Sequence, residues 1–181
     1  MSRLSVPSLD AAPEGSKATL DAVNKQLGVV PNLFRLIGSS PAALTGFVSF
    51  QGALSKAFDV KTRERVALAI AQVNGCDYCL SAHTYLGLNM AKISPEEIAS
   101  NRQGASGDAK ANTIVAFATK VAKDRGHVGE ADIKAVRDAG VTDAQIVELI
   151  GLIAENTFTN LLNEVAKTDI DFPVVRATEI A

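Results

Sequence analysis

The stretch from residue 60 to residue 83 reads VKTRERVALAIAQVNGCDYCLSAH. Its middle part, residues 66–71, is apolar on every side of a helix, so a helix formed there must be buried. Gly75 ends that helix, because glycine tolerates the left-handed backbone that closes many helices. A second helix begins at Cys76. The stretch therefore predicts a helical hairpin over residues 60–88, with two cysteines at its turn.

Helix signals continue on both sides of this hairpin. Ser40-Pro41 is an N-cap followed by proline at the first helical position, and Thr142 with Gln145 forms a capping box. The chain shows no alternating apolar runs and no hairpin dipeptides in strand-like context. We therefore expect an all-α fold in one domain of residues 1–181, with an N-terminal extension over residues 1–15. Helices are predicted at residues 18–26, 31–37, 40–58, 62–74, 76–88, 108–124, 131–139, 142–155 and 160–167, and a capping box over residues 94–97 marks a further helix start.

A weak internal repeat accompanies the hairpin. Moving residues 60–83 by 81 positions lays them on residues 141–164 without gaps, and four positions are then identical: Val60 and Val141, Val66 and Val147, Leu68 and Leu149, Leu80 and Leu161. In the second copy Gln145, Thr157, Asn160 and Glu164 stand where the first has Glu64, Cys76, Cys79 and His83. This pattern predicts a duplicated hairpin, with an inert second copy over residues 141–167.

Composition narrows the functional classes. The chain has 47% hydrophobic and 21% charged residues and a formal net charge of -2, so it lacks the basic field that collects nucleic acid or acidic membranes. Neither a signal peptide nor an uninterrupted apolar run of membrane-spanning length is present. We expect a soluble, cytoplasmic protein that binds neither nucleic acid nor membranes. Two thiols in a reducing compartment are more often catalytic or metal-binding than structural.

The residues best suited to chemistry are Cys76, Cys79 and His83. At a helix start, unpaired backbone N–H groups and the positive end of the helix dipole favour the thiolate of Cys76. The two-residue spacing brings the sulfurs within disulfide reach. His83 follows Cys79 by four residues and therefore shares its helix face. A base beside one thiol, with a second thiol one turn away, suits nucleophilic attack followed by disulfide formation.

Glu64 can join this group only across the hairpin. It precedes Cys76 by 12 residues, which is about 18 Å along an unbroken helix. With the chain turning at Gly75, however, Glu64 and His83 lie at nearly the same height on adjacent helices. Glu64 is then expected to orient and charge His83.

Each of these assignments has an alternative. The CxxC motif is also compatible with a structural disulfide, or with a zinc site completed by His83 and His127, the only two histidines of the chain. His83 alone is compatible with a core histidine. Glu64 has basic neighbours, Lys61, Arg63 and Arg65, and is compatible with a solvated ion pair.

The motif of Glu64, Cys76, Cys79 and His83 resembles the signature of the AhpD-like alkylhydroperoxidases, within the carboxymuconolactone decarboxylase superfamily. The resemblance extends to residues 31–34 and 159–163 and covers residues 15–175. It implies helical hairpins, homo-oligomeric assembly as trimers or trimers of dimers, and hydroperoxide reduction by the cysteine pair without cofactor, metal or haem. The best-known members have a histidine immediately before the second cysteine, where this chain has Tyr78. That departure affects the proton relay and the identity of the reductant.

We therefore predict a thiol-dependent peroxidase for antioxidant defence, reducing hydroperoxides through Cys79 and Cys76 with His83 and Glu64 in support. An external dithiol or thiol protein is the expected reductant. The cysteine roles are exchangeable, since the helix start favours Cys76 as the more exposed thiolate and the histidine favours Cys79. Alternatives are a redox-sensing or interaction protein with negligible turnover, and a decarboxylase-type activity.

Assembly is also predicted from the apolar helices. Residues 66–71 are apolar throughout, and residues 147–154 carry only Glu148 among apolar and small residues. One small domain struggles to bury two such helices, so a second copy is expected to cover the excess apolar surface. The expected homo-oligomer, a trimer or hexamer, uses the second hairpin near Phe158 and Leu161 as its interface.

Overall fold

The computed structural model of the protein describes residues 2–179. Within this range the regular structure is entirely α-helical, so the predicted all-α class is confirmed. The helices are α1 (Glu14–Leu27), α2 (Asn32–Ile37), α3 (Pro41–Leu54), α4 (Val60–Val73), α5 (Asp77–Asn89), α6 (Pro95–Arg102), α7 (Ala109–Lys123), α8 (Glu130–Asp138) and α9 (Asp143–Ala166). None of the described helices combines the length and the apolar character needed to cross a lipid bilayer.

Helix α4 lies at the centre of the molecule. It begins at Asp59, whose carboxylate accepts a hydrogen bond from the backbone N–H of Thr62 at 2.8 Å. All six residues from Val66 to Ala71 are buried, as their apolar character predicts. They are surrounded by α5, α6, α7 and α9, which pack against α4. Helix α4, the first helix of the expected hairpin, is therefore enclosed by four other helices.

The chain reverses direction between α4 and α5. Gly75 has a left-handed backbone with φ of 66°, and the N–H of Cys76 donates to the carbonyl of Ala71 at 3.0 Å. This hydrogen bond, which spans five residues, satisfies a carbonyl at the end of α4. Cys76 is then the N-cap of α5. The two helices pack side by side, which brings residues near the start of α4 to the level of the second half of α5.

The predicted second hairpin is wrong. Residues 143–166 form α9, a single 24-residue helix without a break. The position that corresponds to Gly75 holds Asn156, which stays helical and donates its side-chain amide to the carbonyl of Leu152 at 2.8 Å. Without glycine at this point the helix has no ready route into the left-handed turn. The capping box of Thr142 and Gln145 is present as predicted.

The segments before α1 and after α9 are tied to the helices. Arg35 donates from its guanidinium to the carbonyl of Pro7 at 2.8 Å. After α9, residues 168–179 run without helix across α5, and their apolar side chains pack on the core around the two cysteines: Ile170, Phe172, Val175 and Ala177. We refer to residues 168–179 as the C-terminal tail.

Candidate active site

The two cysteines lie together at the start of α5. Their sulfurs are 2.8 Å apart, both thiols are free, and the sulfur of Cys76 also accepts the backbone N–H of Cys79 at 3.3 Å. Cys76 is completely buried and Cys79 is 2% exposed. The helix start therefore brings the two sulfurs into direct contact in the interior.

The local electrostatics distinguish the two thiols. The S–H of Cys76 donates to the Cys79 sulfur, and this hydrogen bond does most to lower the pKa of Cys79; burial opposes it, and the charge of His83 reinforces it. The same hydrogen bond and burial raise the pKa of Cys76. The sequence-based expectation of an exposed Cys76 thiolate is therefore wrong. The helix N-terminus favours a thiolate, but the donated proton and the dry surroundings of Cys76 outweigh it.

Two asparagines of α9 complete the surroundings of Cys79. The Asn163 amide donates to the Cys79 sulfur at 3.3 Å, and the Asn160 amide also lowers the pKa of that thiol. The Asn160 carbonyl oxygen accepts from Asn74 at 2.9 Å, which orients its N–H₂ group. Both asparagines are buried. The Asn163 amide, a neutral donor from a third helix, thus stabilises negative charge on Cys79.

His83 and Glu64 meet across the hairpin. Nδ1 of His83 lies 2.8 Å from a carboxylate oxygen of Glu64, and both side chains are largely buried. Burial opposes protonation of His83, but the charge and hydrogen bond of Glu64, with smaller contributions from Cys79 and Glu155, leave its pKa raised. The geometry expected from the hairpin is thus present. The raised pKa of His83 favours its protonated form, and the lowered pKa of Cys79 favours the thiolate.

Two of the three basic neighbours of Glu64, Arg63 and Arg65, are engaged elsewhere. Arg63 donates to the backbone carbonyls of Ser55 and Phe58. Arg65 lies 2.9 Å from a carboxylate oxygen of Glu97. The ion-pair alternative for Glu64 therefore gains no support from either arginine.

A cavity of about 310 Å³ opens at Cys79 and His83. Its volume is at the lower end for small-molecule sites. Most of its lining is apolar, with aromatic rings from five residues: Phe34, Phe47, Tyr78, Tyr85 and Phe172. Cys76 is not part of the lining. A small molecule in this cavity would meet Cys79 rather than Cys76.

Sequence reasoning missed Glu155, which lies on α9 and faces the same cavity. One of its carboxylate oxygens accepts the side-chain amide of Gln51 at 3.0 Å. Burial raises the pKa of Glu155 despite the opposing effects of Gln51, His83 and Arg63. Nothing in the local sequence singles out Glu155, because the fold alone brings α3 and α9 to the cavity.

Asn160 and Asn163 were also missed as site residues, although the sequence carries a signal for them. Together with Asn156 they recur at spacings of four and three residues, which places three amides on one face of the helix. Buried amides need partners, so such a stripe indicates a polar site inside the molecule. The resemblance noted over residues 159–163 covers two of the three.

Tyr78 has a structural environment. Its hydroxyl oxygen accepts the backbone N–H of Leu33 at 3.1 Å, and its ring packs edge-on against Phe172 at 5.9 Å between centroids. Burial raises its pKa. Tyr78 thus joins α2 and the C-terminal tail to α5, and a phenol held in this way is a poor substitute for a titrating histidine.

The C-terminal tail covers the side of α5 that carries Cys76. The Asp77 carboxylate accepts from Arg176 at 2.9 Å and from the N–H of Ala177 at 2.8 Å. Ser81 accepts from the N–H of Val175 at 2.9 Å. These contacts explain why Cys76 is enclosed although it begins a helix.

The zinc alternative finds no geometric basis in the described residues. His127 lies in the exposed turn after α7, where its N–H donates to the carbonyl of Asp124 at 3.0 Å. Among residues 2–179 no group of three or more histidine, cysteine, aspartate or glutamate side chains is arranged to hold a metal ion. The fold thus leaves His127 out of the group formed by the cysteines, His83 and Glu64.

Residues 41–124 match the model of the carboxymuconolactone decarboxylase family. No curated protein matches the chain. Among solved structures, an alkylhydroperoxidase AhpD core, a peroxidase-related protein from Ralstonia eutropha JMP134, is 27% identical with a TM-score of 0.82, covering 94% of this chain and 92% of that one.

Two further structures share the fold at lower identity. A peroxidase-related protein from Silicibacter sp. TM1040 is 22% identical with a TM-score of 0.80, covering 93% of this chain and 91% of that one. The debrominase Bmp8 in its apo form is 16% identical with a TM-score of 0.75, covering 94% and 91%. Both likenesses concern the fold alone.

Proposed function

Because this chain belongs to the carboxymuconolactone decarboxylase superfamily and has the AhpD-like fold, we propose that it is a thiol-dependent hydroperoxide reductase. The observation that carries the proposal is the contact between the two free sulfurs, 2.8 Å apart, with only Cys79 facing the cavity. One thiol is thereby offered to a substrate while the other is held ready to close a disulfide.

In the first step the Cys79 thiolate attacks the terminal oxygen of the hydroperoxide. An S–O bond forms, the O–O bond breaks, and the departing alkoxide takes the proton of His83. The products are a Cys79 sulfenic acid, an alcohol and a neutral His83. Glu64 holds His83 in place and favours its protonated form before the step.

In the second step the Cys76 sulfur attacks the sulfenic sulfur. The S–S bond forms, the S–O bond breaks, and the proton of Cys76 leaves with the hydroxide as water. Two electrons have then passed from the thiol pair to the hydroperoxide. An external dithiol returns two electrons and two protons by thiol–disulfide exchange and is itself oxidised to a disulfide.

Single-turnover experiments test this division of roles. Reduced protein treated with one equivalent of an organic hydroperoxide should lose both thiols and yield one alcohol. C76S should stop at a sulfenic acid that a dimedone probe traps, whereas C79S should not react. Equal reaction of C79S and wild type would refute the assignment, and retention of both thiols in wild type would refute the function.

Turnover separates the enzyme from the remaining alternatives. With a dithiol reductant in excess, an enzyme consumes many equivalents of hydroperoxide, whereas a redox sensor stops after one. A decarboxylase-type activity would survive the loss of both thiols. We expect sustained consumption that the C79S variant abolishes.

Reductive dehalogenation is a second candidate. The debrominase Bmp8 shares the fold, and a variant of it was crystallised with 2,3,4-tribromopyrrole. The aromatic lining of the cavity in this chain suits a flat ring. An aryl bromide and two thiols would give the debrominated ring, bromide, a proton and a disulfide. Bromide release from tribromopyrrole, measured beside hydroperoxide consumption, decides which substrate class the thiols serve.

The homo-oligomer also remains part of the proposal. Five large apolar residues form an exposed stripe along α9: Val147, Ile150, Phe158, Leu161 and Val165. Exposed apolar stripes of this length are typical of subunit interfaces. A second copy of the chain is the expected occupant, as the residues near Phe158 and Leu161 led us to predict.

A further inference from the structure

The cavity beside Cys79 contains a carboxylate that the proposed chemistry does not use. Glu155 lines the cavity from α9, which packs against the hairpin that carries Cys79 and His83. Its carboxylate accepts from Gln51 on α3. Glu155 and Gln51, which we call the polar pair, are a localised polar feature in a largely apolar lining.

The charges around the cavity are unbalanced. In the part of the chain that the structure describes, neither lysine nor arginine lines the cavity. Its one cationic candidate, His83, is already paired with Glu64 at 2.8 Å. Arg63 acts on Glu155 electrostatically, but its guanidinium is bound to the carbonyls of Ser55 and Phe58 and does not line the cavity. Gln51 supplies Glu155 with a hydrogen bond and no charge.

A substrate that carries a carboxylate would therefore enter a confined, apolar space that already holds a carboxylate and a thiolate. Burying an ionised group without a partner is costly, and placing it near a like charge adds to that cost. A neutral molecule of the same size meets neither penalty. A neutral molecule with a hydroxyl or hydroperoxyl group can in addition donate a hydrogen bond to the free lone pairs of Glu155.

We propose that the polar pair is a selectivity site, which admits neutral, apolar organic hydroperoxides and excludes those that carry a carboxylate. The part of this inference that concerns turnover rests on the proposed function. The part that concerns binding rests on the cavity alone. Shape contributes little to the exclusion, because a carboxylate and its methyl ester differ little in volume.

A matched pair of substrates tests this directly. The probes are cumene hydroperoxide bearing a para-carboxylate and the methyl ester of the same molecule, assayed at about pH 8, where carboxylates are ionised. We expect kcat/KM for the ester to exceed that for the acid by at least about 100-fold. E155Q, which removes the charge and keeps the shape, should reduce this ratio to about tenfold or less. E148Q removes the same charge from α9 away from the cavity and should keep the wild-type ratio.

A binding measurement keeps the two proposals separable. The corresponding alcohols, which cannot react, are titrated into reduced wild-type protein by calorimetry. If the alcohol with the ester binds, and the alcohol with the carboxylate binds at least about 100-fold more weakly, the selectivity site is supported even when no hydroperoxide is turned over. Absence of turnover with every hydroperoxide refutes only the proposed function.

Equal binding of the two alcohols overturns the inference, as does a selectivity ratio that E155Q leaves unchanged. Q51K supplies a second test that does not depend on the folding of E155Q. It places a cation beside Glu155 and should improve binding of the acid alcohol by at least about tenfold. No improvement in a folded Q51K variant would count against the polar pair.

Discussion

The contact between the two sulfurs makes a quantitative prediction about acidity. Cys76 donates to the Cys79 sulfur at 2.8 Å, and this hydrogen bond does most to lower the pKa of Cys79. A hydrogen bond to a charged group contributes about 1.5–3 kcal/mol, and a thiol is a weak donor, so a value near the lower end is expected. Since one pH unit corresponds to about 1.36 kcal/mol, C76A should raise the pKa of Cys79 by about one pH unit.

The matched control is C76S, which also leaves Cys79 as the only thiol but retains a donor at the same position. Its Cys79 should titrate close to the wild-type value. The measurement is thiolate absorbance in the ultraviolet against pH, supported by the rate of alkylation of the single thiol. Because a raised pKa lowers the thiolate fraction at neutral pH, C76A should also react more slowly with hydroperoxide in a single turnover. Identical titrations of C76A and C76S would refute the assigned role of Cys76.

Three further predictions concern the histidine, the interface and the tail. The single-turnover rate should rise with pH as Cys79 ionises, and should fall at higher pH as His83, whose pKa is raised, loses its proton. H83Q should remove the fall and lower the maximal rate by about 100-fold. Light scattering should give a multiple of 19.0 kDa for wild type and a lower mass for L161E, because a charge would be placed on the apolar stripe of α9. In a C79S background, D77A should speed alkylation of Cys76 at least about threefold, because the tail loses two anchors.

Each of these predictions has a contradicting outcome. If H83Q and wild type have the same pH profile, His83 has a structural role only. A wild-type mass near 19.0 kDa would remove the second copy from the proposal. Unchanged alkylation of Cys76 when D77A is added to the C79S background would show that the helices, and not the tail, shield that sulfur.

Much of the hairpin could be predicted because its determinants are local. An all-apolar run, a glycine at the turn and the four-residue spacing of Cys79 and His83 depend only on neighbours in sequence. Even the meeting of Glu64 and His83 required no more than counting residues from Gly75. The error over residues 141–167 is equally local, since periodicity alone does not distinguish two short helices from one long helix when no residue forces a turn.

The rest of the site depends on which helices meet, and that information is not local. Glu155 and Gln51 are 104 positions apart, and Asn163 reaches Cys79 across 84 positions. The enclosure of Cys76 likewise arises from a tail that follows the last helix. The relative acidity of the thiols follows first from the local hydrogen bond between Cys76 and Cys79, and then from burial and the contact with Asn163. The helix start alone indicates neither the burial nor that contact, which explains why it pointed to an acidic Cys76.

The replacement of the family histidine by Tyr78 has a consequence for the proton balance. A second imidazole near the thiol could stabilise a thiolate and also exchange protons with it. Here the Cys79 charge is stabilised by donors that do not titrate near neutral pH, namely the amide of Asn163 and the S–H of Cys76. In the proposed reaction, His83 supplies the proton to the departing alkoxide. The opposite directions of the two pKa changes, down for Cys79 and up for His83, favour a state in which thiolate and imidazolium coexist. That state is what the first step of the proposed reaction requires, and the two pKa shifts favour it without a second histidine.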